Sequence, residues 1–369
     1  MKRIAGLMAV LMTVLCCGGC GWLDGSFVSV PPHQIGYSDG SDQKIPAIAD
    51  YIDLRGALIG MIDSGASEAV FHLDHYKTDD VRKDMIRAKN YIHTSHPIGA
   101  YSVESIDYEF GATGGQDAIS VKLTYRHTRA EIDRIRTVYG IPGAQALIAD
   151  ALDHHRSALV LLVTGYQETD LVQWITDYAG LHPDVVMELP QVSVQTYPDQ
   201  GDARVIELAF TYQNSRDSLH QMQEQVKPVF SSAALYVSGE ADDQTKFSQL
   251  FTFLMERFEY RLETSLTPSY SLLCHGVGDS KAFAQVYSAM CRQAGLECQS
   301  VSGTFDGESR HWNLVQCGGV YYHVDLLRSA ENGSLVLMDD AMMQAYVWDY
   351  DAYPAGGTPV PPATGTATE

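Results

Sequence analysis

One pattern occurs twice between residues 57 and 226. Ala57-Leu58-Ile59 is matched by Ala146-Leu147-Ile148, and Tyr76–Val81 (YKTDDV) by Tyr166–Leu171 (YQETDL). Ala69–Leu73 is matched by Leu159–Val163, Ile119–Tyr125 by Val205–Tyr212, and Arg129–Val138 by Arg216–Val226. The offsets cluster near 90 residues, so each copy is one folding unit. Each copy reads as a helix, a short β-rich run, a second helix, two strands and a closing helix. The strand pair of the first copy, Val103–Glu109 and Ser120–Tyr125, alternates apolar and polar residues around a turn rich in glycine (Gly111, Gly114, Gly115). Residues 46–140 and 141–235 are therefore expected to be two tandem α+β repeats. Neither copy gathers convergent catalytic residues, and such repeats read as interaction or spacer modules.

The amino end constrains the compartment. Lys2 and Arg3 precede an uncharged apolar run, Ile4–Leu15, and then Cys16-Cys17-Gly18-Gly19-Cys20. The run is too short for a membrane-spanning helix, which needs about 20 apolar residues, and has the shape of a signal peptide. Small residues before Cys20 resemble a lipobox, with Cys17 where leucine is usual. That resemblance implies a bacterial lipoprotein, cleaved just ahead of Cys20, with Cys20 lipidated and the chain exported and membrane-anchored. Residues 21–45 read as a linker, and 355–369 as a disordered tail with little apolar content. The 45% hydrophobic and 19% charged composition supports a sizeable core, and a net charge of −21 excludes nucleic acid as a partner.

Two histidine clusters could suggest a metal: His72-Leu73-Asp74-His75, and Asp153-His154-His155. Neither has a counterpart in the other repeat, and a ligand set needs more than neighbours in sequence, so no metal or cofactor is expected. Cys274, Cys291, Cys298 and Cys317 lie together in the last third. Export permits disulfides among them, in three pairings that sequence cannot choose between, while the spacing argues against structural zinc.

The pattern changes near Thr245. An amphipathic helix (Phe247–Phe258) leads to a Gly-rich loop and then to a helix from Ser280 to Gln293, stopped by Gly295. Strands follow at Cys298–Gly303, Arg310–Val315 and Val320–Asp325, the last two joined by a Gly318-Gly319 hairpin. Ala294-Gly295-Leu296, Val301-Ser302-Gly303, His311-Trp312-Asn313 and Tyr321-Tyr322-His323-Val324-Asp325 occur in the order of the transglutaminase-like superfamily. Residues 245–354 resemble that family. The resemblance implies a papain-type α+β fold, with a helix-borne nucleophile position packed on an antiparallel sheet. His311 and Asp325 match the family's base and orienting carboxylate. His311 is adjacent to Trp312, one residue short of the family's His-x-Trp-Asn spacing. The two are expected side by side, facing the helix start.

The family's nucleophile is a cysteine at the helix start; the aligned residue here is Ser280. An alcohol is far less acidic than a thiol and must lose its proton during attack, so this site demands tighter base geometry. Asp279 beside it disfavours added negative charge, and serine there also suits a helix N-cap. Three functions stay open: a catalytically degenerate domain binding a peptide or cell-envelope partner; an active Ser280–His311–Asp325 acyl transferase, peptidase or amidase; or an adhesion or assembly protein whose function lies in the repeats.

Overall fold

The computed structural model describes residues 45–262 and 265–359. The signal peptide, Cys20 and nearly all of the linker lie outside them. The described fold is α+β, with three four-stranded sheets and one two-stranded ladder.

Both repeats have one topology. In the first, β1 (Ala47–Ile48) leads to helix α1 (Tyr51–Ser64), β2 (Glu68–Leu73) and helix α2 (Thr78–Thr94). After the short helix α3 (Pro97–Ser102) come β3 (Val103–Thr113) and β4 (Gln116–Tyr125), in sheet order β1-β2-β4-β3. Asp50 caps α1 by accepting from the N–H groups of Ile52 and Asp53, and Gly65 ends it at φ 71°. Gly114 and Gly115 supply the two positive φ angles of the β3–β4 hairpin, whereas Gly111 lies within β3 opposite Ala118. The second repeat runs β5 (Arg136–Tyr139), α5 (Gly140–Asp153), β6 (Ala158–Thr164), α6 (Leu171–Leu181), β7 (Gln191–Tyr197) and β8 (Ala203–Thr211), in the order β5-β6-β8-β7. Each repeat encloses its own core, Leu58, Met85, Ile106 and Ile119 in one and Ile148, Leu161, Ile175 and Ile206 in the other.

The closing helices depart from the sequence expectation. The first, α4, is only Arg129–Ile132, held by a Thr128/Glu131 capping box. Arg136–Tyr139 is instead the leading strand of the second sheet, parallel to β6, so that sheet begins ahead of residue 141. Thr137, Val138 and Tyr139 favour a strand, and only a strand satisfies the free edge of β6. The second closing helix, α7, is 21 residues long, Arg216–Tyr236. Its buried Leu219, Val226, Phe230 and Ala233 join, with Met187 of its own repeat, the core of the C-terminal domain.

That domain adds α8 (Asp243–Met255), β9 (Glu259–Tyr260), α9 (Pro268–His275), β10 (Val277–Gly278) and α10 (Ser280–Gln293). Its sheet is β13-β12-β11-β14: β11 (Cys298–Phe305), β12 (Glu308–Cys317), β13 (Val320–Val324) and β14 (Tyr346–Trp348), all antiparallel. A short helix, α11 (Leu326–Glu331), follows β13. Gly318 and Gly319, at φ 59° and 79°, make the β12–β13 hairpin. One face of the sheet receives α10 through Val315, Cys317 and Val324; the other packs Trp312, Leu314, Tyr346 and Trp348 together. Residues 355–359, expected to be disordered, are bound to the sheet by main-chain hydrogen bonds: Tyr321 N–H to Thr358 O at 3.0 Å and Gly357 N–H to Tyr321 O at 2.7 Å. Pairing of this kind needs no apolar side chains, so composition could not reveal it. The remainder of the tail lies outside the described residues. Among the described residues no helix is long and apolar enough to cross a membrane.

Candidate active site

Helix α10 points its amino end at β12. The cap is Asp279, not Ser280: its carboxylate accepts from Ala282 N–H at 2.8 Å. Ser280 is the first helical residue and is 8% exposed. Its hydroxyl oxygen accepts from the backbone N–H of His311 at 3.2 Å. That N–H lies beyond the reach of β13, whose pairing with β12 stops at Asn313–Val324. Ser280 therefore closes the ladder where the neighbouring strand ends. One turn further along the helix, Asn313 Nδ2 donates to Ala284 O at 2.8 Å. These two bonds fix the helix start against the strand.

The structure brings Ser280 and His311 together and places Asp325 elsewhere. On β12, Asn313 and Val315 turn toward α10, and Trp312 and Leu314 turn away. His311 belongs by alternation to the face of Asn313, and Arg310 to the face of Trp312. On β13, Val324 faces α10, which leaves the following Asp325 on the opposite side. One residue of spacing decides a face. With His311 directly before Trp312, the residue two places ahead of the tryptophan is Arg310, and Arg310 meets Asp325. Its Nε and Nη2 donate to the two carboxylate oxygens at 2.9 and 3.0 Å, a bidentate pair.

Asp325 has further partners. Tyr346 Oη donates to it at 2.8 Å, and the N–H groups of Leu327 and Arg328 donate at 3.0 and 3.3 Å, making it the cap of α11. It is 1% exposed. Burial lowers the Arg310 pKa, but the Asp325 bonds and charge outweigh burial and hold the guanidinium above its ordinary value. Burial, and then the Asp325 charge, pushes Tyr346 up. His311 is pulled below its ordinary value, mainly by burial and next by the Lys281 charge, with Asp279 opposing. It is thus a neutral imidazole at neutral pH, and none of Asp325's hydrogen bonds goes to it. Arg310 and Tyr346 are the residues that sequence reading missed; counting back from Trp312 at the family's spacing would have found Arg310.

A second polar relay lies under the sheet. Trp312 Nε1 donates to His323 Nδ1 at 3.0 Å, so the proton of the neutral ring is on Nε2, which faces Asp340 Oδ1 at 3.0 Å. Burial holds His323 below its ordinary pKa against the pull of Asp340. With both ring nitrogens engaged, His323 anchors the sheet to the segment around Asp340. Elsewhere, His75 is an exposed side chain beside Asp74, His154 bonds Asp150, and His155 is buried beside His220 and Tyr212.

Residues 231–339 match the family model of the transglutaminase-like superfamily. This stretch is a transglutaminase-like domain. The match begins inside α7, in agreement with the packing of that helix, and ahead of the boundary at residue 245. Three solved structures show local similarity. One is a TGase, at 10% identity and TM-score 0.26, covering 46% of this chain and 50% of its own length. The second, from Cytophaga hutchinsonii and described as a candidate cysteine protease, has 13% identity and TM-score 0.25, covering 43% of this chain and 70% of its own. The third, a candidate protease from Parabacteroides distasonis, has 8% identity and TM-score 0.23, covering 69% and 39%. The chain thus spans half of the length of the first. No curated protein matches.

Proposed function

We propose that the transglutaminase-like domain is catalytically retired and serves a binding role, for a peptide or cell-envelope partner, on an exported lipoprotein anchored through Cys20. The observation that carries this reading is the Arg310–Asp325 pair. A carboxylate held by a guanidinium, a tyrosine and two main-chain N–H groups has no role left in orienting a base. A serine hydroxyl without an oriented base is a poor nucleophile at neutral pH, because almost none of it is ionised. Ser280 has a structural task instead, closing the edge of β12. Cys274, Cys291 and Cys317 do not substitute for it, since burial raises each thiol pKa and disfavours the reactive thiolate.

The test is covalent labelling of the purified protein with a fluorophosphonate and an iodoacetamide probe. Wild type is expected to show no fluorophosphonate adduct at Ser280. Ser280→Cys is expected to gain an iodoacetamide adduct at residue 280, without the rate dependence on His311 that a working pair would give. Lipidation is checked separately by incorporation of labelled palmitate, which Cys20→Ala should abolish.

One observation favours a second reading, an active serine acyl transferase or amidase: Ser280 sits at a helix amino end with His311 at its side. A fluorophosphonate adduct at Ser280 that is lost in His311→Ala would establish that reading and end the first.

A further inference from the structure

The last turn of α10 folds the chain back on itself. Ala294 and Leu296 both donate to Cys291 O, at 3.0 and 2.9 Å, and Gly295 between them sits at φ 73°. The returning chain enters β11 beside the helix it has just left. Ser288 Oγ donates to Cys298 O at 2.6 Å, which fixes Cys298 over that turn. Residues 288 and 291 lie three apart and share one helix face. Cys298 therefore lies beside Cys291 in one apolar cluster, close enough that its side chain helps to raise the Cys291 thiol pKa. Cys291 is fully buried and Cys298 half-buried, both against the same apolar cluster. Cys317 lies on β12 two residues past Val315, the partner of Cys298, and so only diagonally across the ladder. Cys274 lies on another helix, α9.

We propose that Cys291 and Cys298 form a disulfide in the exported chain, stapling the end of helix α10 to the first strand of its sheet. The bond rests on the export reading, because an oxidising compartment is what makes it persist. The two thiols give up two protons and two electrons as the S–S bond forms. A disulfide-bearing oxidant, protein or small molecule, accepts them; its own S–S bond breaks and leaves two thiols. Cys298 is the more accessible sulfur and attacks the oxidant first, giving a mixed disulfide. Cys291 then displaces the oxidant's remaining sulfur.

The experiment compares two samples of the full-length chain. One is isolated from the producing cells without reductant, with protease treatment of intact cells to establish where the chain lies. The other is reduced, purified and exposed to oxidised glutathione while folded. Both are digested and mapped by mass spectrometry without reduction. Expected in both is a cross-linked peptide pair carrying Cys291 and Cys298, lighter by two hydrogens and missing in Cys298→Ser. Reduction should lower the thermal midpoint of wild type and leave that of Cys298→Ser, folded by circular dichroism, unchanged. The proposal is overturned if glutathione leaves both thiols free or links Cys298 to Cys317. It is equally overturned if the chain is protease-accessible outside the cell yet carries free thiols. A chain that is inaccessible and reduced in cells, but cross-linked correctly by glutathione, would sink the export reading and leave the pairing intact.

Discussion

Asp325 holds five hydrogen bonds on one buried carboxylate, and the positive partner among them is Arg310. Removing that partner leaves an uncompensated charge inside the domain. Arg310→Met should cost about 3–5 kcal/mol of unfolding free energy, the usual penalty for orphaning half of a buried pair. Urea denaturation checks it, and Arg310→Met/Asp325→Asn should recover part of the loss. Ser280→Ala removes a single bond to a backbone N–H and should cost about 1 kcal/mol. Larger losses there would mean that the hydroxyl does more than close the strand edge.

Among the elements, the start and end of α10, the three strands after it and the Gly318-Gly319 turn are legible in sequence, because capping residues, glycine stops and alternation are local signals. Face assignments across the sheet were not. His311 and Asp325 read as a pair because their order and approximate spacing fit the family, but a strand resolves faces one residue at a time. The short α4 and the strand Arg136–Tyr139 were hidden for a related reason: repeat alignment carried a helix into a segment whose partner strand decides otherwise. Gly303 shows what sequence can hint at without explaining. A Cβ there would meet Val347 O at 2.3 Å and the Trp312 indole at 2.6 Å, so β14 and the tryptophan occupy the space that glycine leaves. Gly303→Ala should destabilise by about 1–3 kcal/mol through overpacking, and the shift should show in Trp312 fluorescence.

On the scale of the whole molecule, buried histidines set the response to acid. Burial, with His220 and Arg216 next, lowers the His155 pKa to about 4, and burial also lowers His96, His182, His311 and His323. The unfolded chain binds protons at these residues near pH 6.5, where the folded chain does not. Stability should therefore be full above pH 7 and fall as the pH drops from about 6.5 toward 4. Thermal midpoints across that range test this, and His155→Leu should flatten the slope. The cores also fix where the chain can be divided. A fragment starting at residue 245 lacks Leu219, Val226, Phe230 and Ala233 and should not fold, whereas one starting at residue 213 keeps them and should; circular dichroism of both decides. Helix α7 closes the second repeat in sequence but has its partners up to Leu326, some ninety residues later. A chain made amino end first, at about 5–20 residues per second, completes both repeats while this helix still shows its apolar stripe to solvent. For several seconds of each synthesis that stripe is where a chaperone would bind, or where two nascent chains would stick.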